Sequence, residues 1–475
     1  MDMGMQMPLG DVLPEIILVV GAVATLLFAL AAPRRAQHWC AALATATLLA
    51  AAVASALMLR EPQALTFFDT YAVDDAAVWA KLLVLAVTVV VVGLSVEWFT
   101  SDPRHGEYYT LLLLSALGAV LLAAAADLMA VILGVLLSSA TGYVLAAYHR
   151  ADARSGEAAI KYYLLGALTN AGMVYGAVLL FGLAGTTTLL GLRAALATAD
   201  STALIAGAAL FLLGLLFKLG AAPAHAWVPD VADGAPAPVA AFLTVAPKIG
   251  ALLALARLVA TLPDDRVGWR AVVAVLAAVT MTLGNLAALW QDDVRRLLGW
   301  SAVSQAGYGL LAVVSLGRTT LAVPSLLYFL AAYAVANLAA FGVVVELRGR
   351  TERATYAGLS TARPLLALVL VLALLSLVGV PPLAGFTAKV ALFAAAVDAG
   401  YTWLAVLAVA NTVLSLAYYL RVLAPAYLEP LKAPVPVLGQ WANTVTLLCG
   451  ATVLGLGLAA EPFVSSFTTS QLLPW

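Results

Sequence analysis

The chain has 475 residues and a formal net charge of −1, and 64% of its residues are hydrophobic while only 10% are charged. Soluble globular proteins carry about 25% charged residues, so this composition excludes a soluble globular fold and indicates that lipid surrounds most of the chain. The balanced charge also excludes the basic surface that nucleic-acid binding requires, and we expect no nucleic-acid partner.

Long apolar stretches recur from one end of the chain to the other, and a helix needs about 20 apolar residues to cross a bilayer. They do not alternate between apolar and polar residues as the strands of a membrane β-barrel do, which favours helices. We therefore predict an all-α integral membrane fold of about fourteen transmembrane helices. The predicted spans, numbered in chain order, are 13–32, 38–58, 76–98, 107–126, 128–148, 159–183, 203–222, 236–261, 268–290, 295–316, 320–346, 363–399, 401–428 and 438–459.

No connection between the spans is long or polar enough to form a soluble domain, so residues 1–475 are predicted to form one polytopic membrane domain. Within it we distinguish three N-terminal helices (13–106), a first repeat (107–261), a second repeat (268–428) and a last helix (438–459). The two repeats are inferred from interruptions of the seventh and twelfth spans.

Each of these two spans combines a proline-containing helix break with one lysine. The residues are Lys218, Pro223 and Pro229 in the seventh span, and Pro381, Pro382, Gly385 and Lys389 in the twelfth. The spans lie five apart, and an odd separation reverses the direction of a repeat in the membrane, which predicts inverted five-helix repeats formed by spans 4–8 and 9–13. Broken helices in corresponding positions indicate a transport pathway near the membrane midplane. The alternative is that these prolines are ordinary helix kinks.

Lysine and arginine residues are unequally distributed between the two sets of loops. If the N-terminus is outside, fourteen of them lie in inside loops and five in outside loops. This bias predicts a multi-pass protein of the cell inner (cytoplasmic) membrane with both termini on the outer, periplasmic side. The inside residues are Arg34, Arg35, Arg104, Arg150, Arg154, Lys161, Arg295, Arg296, Arg348, Arg350, Arg353, Arg363, Arg421 and Lys432, and the outside residues are Arg60, Arg193, Arg266, Arg270 and Arg318.

Three lysines lie within apolar spans, where an ionisable residue is a functional hypothesis by default. Lys218 and Lys248 are mid-span and too deep for their side chains to reach the membrane surface easily, and Lys389 follows the break in the twelfth span. An apolar environment disfavours the charged ammonium group, so such a lysine can accept and release a proton. The three lysines therefore indicate a proton relay. The alternative is that they are structural and bind carbonyl groups freed at the helix breaks.

Two further ionisable residues lie close to spans. His225 follows the break in the seventh span, where an imidazole that titrates near neutral pH could serve in a relay or gate, or simply line a polar cavity. Lys81 lies near the start of the third span, and we expect its side chain to extend outward to the membrane surface.

Six segments resemble motifs of subunit N, an antiporter-like membrane subunit of NADH-quinone oxidoreductase (respiratory complex I). They are EAAIKYYLLGALTNA (157–171), FKLGAAPAHAWVPDVADGAPAPVAAFLTVAPKIGAL (217–252), MTLGNLAAL (281–289), RRLLGWSAVSQAGY (295–308), YFLAAYAVANLAAFGVV (328–344) and VGVPPLAGFTAKVALF (378–393). The wider superfamily includes Mrp-type cation/proton antiporters and membrane-bound hydrogenases. The resemblance favours subunit N because Lys248 stands where the related L and M subunits carry histidine.

The resemblance implies roles for individual residues. Lys218, Lys248 and Lys389 correspond to the relay lysines of the seventh, eighth and twelfth helices, with Lys389 on the exit side, and His225 corresponds to the histidine of the helix-7 break. The candidate proton-relay residues are Lys218, Lys248, Lys389, His225 and Lys161, and the helix-break residues are Pro223, Pro381, Pro382 and Gly385.

Two positions depart from the family pattern. A glutamate expected in the fifth helix, which pairs with the helix-7 lysine, is replaced by Leu136, and a histidine expected in the tenth helix is replaced by Gln305. Asp127 lies nine residues before Leu136, about 13 Å along a helix, and cannot substitute directly. These departures place proton transport by this chain in question.

The resemblance implies a membrane-arm subunit that forms a proton channel coupled to quinone reduction elsewhere in the complex. This chain carries no dinucleotide motif, and Cys40 and Cys449 alone cannot ligate an iron–sulfur cluster. We therefore expect no redox site and no cofactor in this chain, with NADH, FMN, iron–sulfur clusters and quinone bound by partner subunits. The expected partners are the antiporter-like subunits M and L, the small subunits K and J, a hydrophilic redox arm and the lipid bilayer.

Two other functions stay open at this point. The first is a subunit of an Mrp-type cation/proton antiporter or of a membrane-bound hydrogenase, since both share the superfamily motifs. The second is a structural subunit that has lost pumping, which Leu136 and Gln305 suggest.

Overall fold

The computed structural model describes residues 8–100, 102, 105–197, 199, 201–431, 434–470 and 472–473. Over this part of the chain it is a bundle of antiparallel helices, and thirteen of them are long and apolar enough to cross a membrane. Each predicted span matches a helix or, in the twelfth span, a pair of shorter helices. Arg104 and Lys432, which entered the charge comparison, lie outside the described residues.

The helices and strands follow in chain order. The first half contains α1 (Leu13–Ala31), α2 (Trp39–Met58), β1 (Ala64–Thr66), β2 (Tyr71–Val73), α3 (Asp75–Ser95), α4 (His105–Ala124), α5 (Leu128–Ala146), α6 (Ala153–Ala184), α7 (Leu189–Leu196), α8 (Ser201–Leu219), α9 (Trp227–Gly234) and α10 (Ala237–Thr261). The second half contains α11 (Asp264–Val267), α12 (Trp269–Leu289), α13 (Val294–Ser315), α14 (Ala322–Glu346), α15 (Leu359–Ala362), α16 (Pro364–Val378), α17 (Ala384–Asp398), α18 (Thr402–Leu428), α19 (Gln440–Leu458) and α20 (Ala460–Phe467). Short 3-10 helices lie at Leu9–Val12, Arg34–Ala36 and Arg353–Tyr356.

Polar side chains fix where several of the membrane helices begin. A free backbone N–H in the first turn of a helix needs an acceptor, and an aspartate or threonine before the helix supplies one. The capping residues with such a bond are Asp74 before α3, Asp127 before α5, Asp152 before α6, Thr188 before α7 and Asp293 before α13. Polar residues of the loops therefore determine where these helices begin.

Both predicted helix interruptions are present. The seventh span leaves the helical conformation after Leu219 and resumes as α9, while the twelfth, predicted as one span over 363–399, is divided into α16 and α17. Prolines have no backbone N–H and their rings clash with the preceding turn, so the helical hydrogen-bond ladder cannot continue through Pro223 or through Pro381 and Pro382. The breaks leave backbone carbonyl groups free within the bundle.

The loops at each end of the bundle are tied together by short β-type contacts. At the end where α1 begins, which we call the N-terminal face, β1 and β2 form a hairpin that the sequence analysis did not predict. Tyr71 forms a β-bridge with Ala125 at this face, and Asp293 forms one with Glu352 at the opposite face. The hairpin places Tyr71 against the helices, where it is buried.

The centre of the bundle is α10, whose membrane-spanning stretch is entirely buried inside the chain. It packs against α3, α4, α13 and α14. Close approach to α4 requires Gly250, because a side-chain carbon at this position would collide with the carbonyl oxygen of Ala119. In contrast, α1 and α2 each expose one apolar face that includes Val20 and Leu49.

Candidate functional site: three buried lysines

Lys218, Lys248 and Lys389 are all buried, with 1%, 3% and 3% of their surface exposed. None of the three forms an ion pair within the part of the chain that the structure describes. Hydroxyl groups, backbone carbonyls and aromatic rings surround the three ammonium groups instead. Such neutral partners leave each lysine free to exist with or without its proton, because no fixed anion holds the charge in place.

Lys218 lies in the last turn of α8, just before the helix break. Its Nζ donates a hydrogen bond of 3.2 Å to Oγ of Ser139, which α5 contributes. Ser139 was not singled out in the sequence, although a pair of serines in an apolar span is a visible polar signal. It is the hydroxyl contact that the structure gives this lysine.

Lys248 follows Pro247 in the buried helix α10. Its Nζ donates to the backbone carbonyl of Ala302 on α13 and lies 5.1 Å from the centre of the Tyr333 ring. The Tyr333 hydroxyl donates a 2.8 Å hydrogen bond to the carbonyl of Thr244, one turn before Lys248. Tyr333 on α14 is therefore fixed against this lysine.

Lys389 occupies α17, beyond the second break. Its Nζ donates to the carbonyl oxygens of Leu377 and Val378, each at 2.9 Å, and lies 4.1 Å from the centre of the Tyr308 ring. The two carbonyls end α16, where no further helical N–H is available to them. A cation at the C-terminal end of a helix is also favoured by the helix dipole.

Gln305 joins the environments of Lys248 and Lys389. Its Nε2 donates a 3.1 Å hydrogen bond to the Leu377 carbonyl, the same oxygen that accepts from Lys389. Gln305, Tyr333 and Lys389 also line a cavity of about 10 Å³, near the lower limit for one water molecule. The structure thus brings Lys248 and Lys389 into one polar neighbourhood through Tyr333 and Gln305.

The other two relay candidates lie in different settings. His225 is half-buried between α8 and α9, with its ring centre 5.6 Å from that of Trp300. The Lys161 side chain is 47% exposed and forms ion pairs with Glu157 at 2.6 Å and Asp230 at 3.2 Å. The structure brings neither of them into contact with the three buried lysines.

Gly385 allows the two halves of the second broken helix to approach each other. Its backbone N–H donates a 3.0 Å hydrogen bond to Oγ of Ser376, and a side-chain carbon at this position would collide with the Ser376 carbonyl oxygen. The peptide bonds Ala222–Pro223 and Pro381–Pro382 are both cis. The two breaks therefore share a prolyl geometry as well as a neighbouring lysine.

Leu136 lies on an outward face of α5 and is 42% exposed. Together with Tyr143 and Asn170 it lines a groove between α5 and α6 with a volume of about 610 Å³. Asp127 is committed to capping α5, accepting from the backbone N–H of Met129 at 2.6 Å. Leu136, the position where the resemblance led us to expect a glutamate, thus faces a surface groove, while Ser139, one turn further, contacts Lys218.

The expectation for Lys81 was wrong. Its side chain is fully buried and forms an ion pair of 3.1 Å with Glu15 on α1, because the β1–β2 hairpin and α1 cover the start of α3. A second buried pair, Arg257 with Asp74 at 2.6 Å, was missed entirely. The signal for it was available, since Arg257 interrupts the apolar run ALLALARLVATL.

Comparison with known proteins decides the family. Residues 125–415 match the profile of the NADH:quinone oxidoreductase/Mrp antiporter transmembrane family. A protein of Streptomyces griseus named NADH-quinone oxidoreductase subunit N 1 is 45% identical, covering 94% of this chain and 95% of that protein. The chain belongs to the subunit N family. A subunit N of a Mycobacterium species is 43% identical over 90% of this chain and 92% of its own length.

Solved structures agree with this family and extend the fold beyond it. A chain of respiratory complex I from Thermus thermophilus is 31% identical, with a TM-score of 0.80 and coverage of 95% of this chain and 99% of that chain. A chain of the Mrp complex from a Dietzia species has a TM-score of 0.86 at 22% identity, covering 98% of this chain and 97% of that one. At that identity the likeness shows a common fold, and the subunit N relatives carry the family assignment.

Proposed function

We propose that this chain is the antiporter-like subunit N of the membrane arm of a proton-translocating NADH-quinone oxidoreductase, and that it carries protons through Lys218, Lys248 and Lys389. The observation that supports the proposal is the burial of three lysines without an acidic partner in the described structure. A buried amine with neutral partners can change its protonation without breaking an ion pair. Redox energy would reach these lysines from partner subunits.

The contacts suggest how a proton passes between Lys248 and Lys389. Protonated Lys248 is stabilised by the Ala302 carbonyl and by the face of the Tyr333 ring, and protonated Lys389 by two carbonyls of α16. A proton leaving Lys248 crosses beside the face of the Tyr333 ring and reaches Lys389 through the small cavity that Tyr333, Gln305 and Lys389 line, which has room for about one water molecule. Gln305 keeps this connection neutral where the family carries a histidine.

We further propose that helices α4–α10 and α12–α18 are inverted repeats, preceded by an N-terminal unit of α1–α3 and followed by α19. Both proposed repeats contain a broken helix with a lysine beside the break. Each also ends in a helix with an internal proline, Pro247 in α10 and Pro425 in α18. We propose, from the loop charges, that the N-terminal face of the bundle is the periplasmic side.

The proposed partners bind the redox cofactors and flank this chain in the membrane. No group of three or more histidine, cysteine or acidic residues that could hold a metal occurs among the described residues. We propose that NADH, FMN, iron–sulfur clusters and quinone are bound by a hydrophilic arm and neighbouring subunits. The membrane neighbours would be the antiporter-like subunits M and L and the small subunits K and J, and the groove beside Leu136 offers one surface for a neighbouring helix.

The test uses the whole complex reconstituted in vesicles. Lys248→Met should lower the number of protons translocated per electron without removing the chain from the complex, because methionine fills a similar volume but cannot hold a proton. Arg60→Met, which removes an exposed cation at the N-terminal face, is the control and should leave the stoichiometry unchanged. Wild-type stoichiometry in both Lys248→Met and Lys218→Met would reject the proposal and favour a structural subunit.

A further inference from the structure

A second group of buried ionisable residues lies at the N-terminal face, away from the three lysines. Lys81 on α3 donates a 2.5 Å hydrogen bond to the Tyr71 hydroxyl and lies 3.1 Å from Oε1 of Glu15 on α1. The Tyr71 hydroxyl donates to the same Glu15 oxygen. We call these three residues the Glu15 triad. All three are buried: Glu15 is 5% exposed, Tyr71 is 7% exposed and Lys81 is 0% exposed.

The proposed proton path does not use this triad. Its members come from the N-terminal helices and hairpin, which precede the region matched by the family profile, residues 125–415. Burying two charges is a weak source of stability, because their desolvation offsets most of their attraction. Ionisable residues within a membrane bundle therefore point to a function before they point to a structural bond.

One atom of the triad is left open. Oε2 of Glu15 is buried and has no hydrogen-bond partner among the described residues. A carboxylate oxygen without a donor is unfavourable in a dry environment, and protonation of the carboxylate removes the charge that makes it so. The geometry is therefore compatible with both protonation states of Glu15.

We propose that Glu15, Tyr71 and Lys81 form a proton-binding site that exchanges protons with the N-terminal face of the membrane. In the exchange step the N–H bond of Lys81 breaks as an O–H bond forms on Tyr71, and Tyr71 gives its own hydroxyl proton to Oε1 of Glu15. The step converts an ammonium and a carboxylate into a neutral amine and a carboxylic acid. No charge is created and no other reactant is needed.

A second acidic residue near Glu15 in the sequence is partly exposed at the N-terminal face. Asp11 lies four residues earlier, in the 3-10 helix that leads into α1, and its side chain is partly exposed. Asp11 and Arg257 are the other charged groups that act electrostatically on Tyr71. Arg257 is held by Asp74, and an arginine does not release its proton in a protein. Of these two charged groups, only Asp11 is partly exposed, so protons exchange with the N-terminal face on its side of the triad.

The opposite face supplies a matched control. Glu346 is also fully buried and is paired with Arg363 at 2.7 Å. Because arginine keeps its proton, this second glutamate–cation pair cannot perform the exchange step. Glu15→Gln and Glu346→Gln therefore remove the same carboxylate chemistry, but only the first removes a group that we propose to carry protons.

The experiment measures infrared titrations and proton stoichiometry on the intact complex. As pH falls, the wild-type complex should show a growing C=O band of a protonated carboxyl that Glu15→Gln lacks and Glu346→Gln retains. In vesicles, Glu15→Gln should lower the protons translocated per electron and Glu346→Gln should not. If Glu15→Gln does not assemble, the double variant Glu15→Gln/Lys81→Met, which removes both charges, replaces it.

The outcomes separate this inference from the proposed function on which its proton-carrying role rests. An unchanged infrared titration in Glu15→Gln, or wild-type stoichiometry in that variant, overturns the triad as a proton site. If Lys248→Met loses protons per electron while Glu15→Gln does not, the proposed function stands and the triad is a structural bond. If Lys248→Met and Lys218→Met both pump normally, the proposed function falls, and the infrared titration alone decides whether Glu15 exchanges protons.

Discussion

Replacing Lys218 by methionine separates a proton-carrying role from a structural one. Lys218 makes one hydrogen bond, to the Ser139 hydroxyl at 3.2 Å, and has no ion pair in the described structure. Methionine has a similar unbranched shape and suits an apolar environment. The variant therefore removes the ionisable group while keeping the packing between α5 and α8.

The expected change in stability is small. A typical hydrogen bond contributes about 1 kcal/mol net. The Ser139 hydroxyl loses a donor in this variant, but it can still donate its own proton to a carbonyl of its own helix. Removing a buried amine also removes its desolvation penalty, so Lys218→Met should change the free energy of unfolding by less than about 1 kcal/mol. Arg257→Met is the contrasting variant: it leaves the Asp74 carboxylate buried without its cation, at a cost of about 3–5 kcal/mol.

Two measurements test this reasoning. The temperature of irreversible inactivation of the purified complex should be close to wild type for Lys218→Met and clearly lower for Arg257→Met. Protons translocated per electron in vesicles should fall in Lys218→Met. Equal destabilisation of Lys218→Met and Arg257→Met would refute the reasoning that a lysine without a charged partner costs less to remove than an arginine with one. Unchanged pumping in Lys218→Met, with altered pumping in Leu136→Glu, would instead show that this channel is silent in the native chain.

Three further predictions follow from the second break and from the loop charges. Lys389→Met should lower stability by about 1–3 kcal/mol, since one freed carbonyl of α16 loses its donor, and thermal inactivation of the complex measures this. Gly385→Ala should destabilise by roughly 1–3 kcal/mol through overpacking, whereas Gly182→Ala, where the added carbon meets open space, should not. The single variants Arg350→Cys and Arg266→Cys should react differently with an impermeant thiol reagent in intact cells. Labelling of Arg266→Cys alone supports the proposed orientation, and labelling of Arg350→Cys alone reverses it.

The spans and their breaks could be predicted from the sequence because they depend on local features. Apolar stretches of membrane length and prolines are visible one segment at a time, so the long apolar helices fall close to the predicted spans. The three buried lysines were found for the same reason, as charges within apolar runs. Each of these predictions depends only on the residues of one helix and on the lipid around it.

The contacts around those lysines depend on which helices are neighbours, and the sequence alone does not give that. Ser139 meets Lys218 across 79 residues of chain, and Gln305 meets the Leu377 carbonyl across 72. The error at Lys81 has the same origin, since its depth was judged from α3 alone and the hairpin that covers it was not predicted. The contacts of Lys218 and Gln305 and the burial of Lys81 therefore depend on contacts between segments that are distant in the sequence.

The burial of α10 bears on how this chain can tolerate substitution. A helix facing lipid on one side accepts almost any apolar residue there, because lipid tails adjust to its shape. Every side of α10 meets protein within this chain instead, so the volume of each side chain is limited as well as its polarity. A saturation library selected for respiratory growth should therefore return mixed aliphatic residues along the outward faces of α1 and α2, but at positions such as Gly250 almost nothing beyond the native residue.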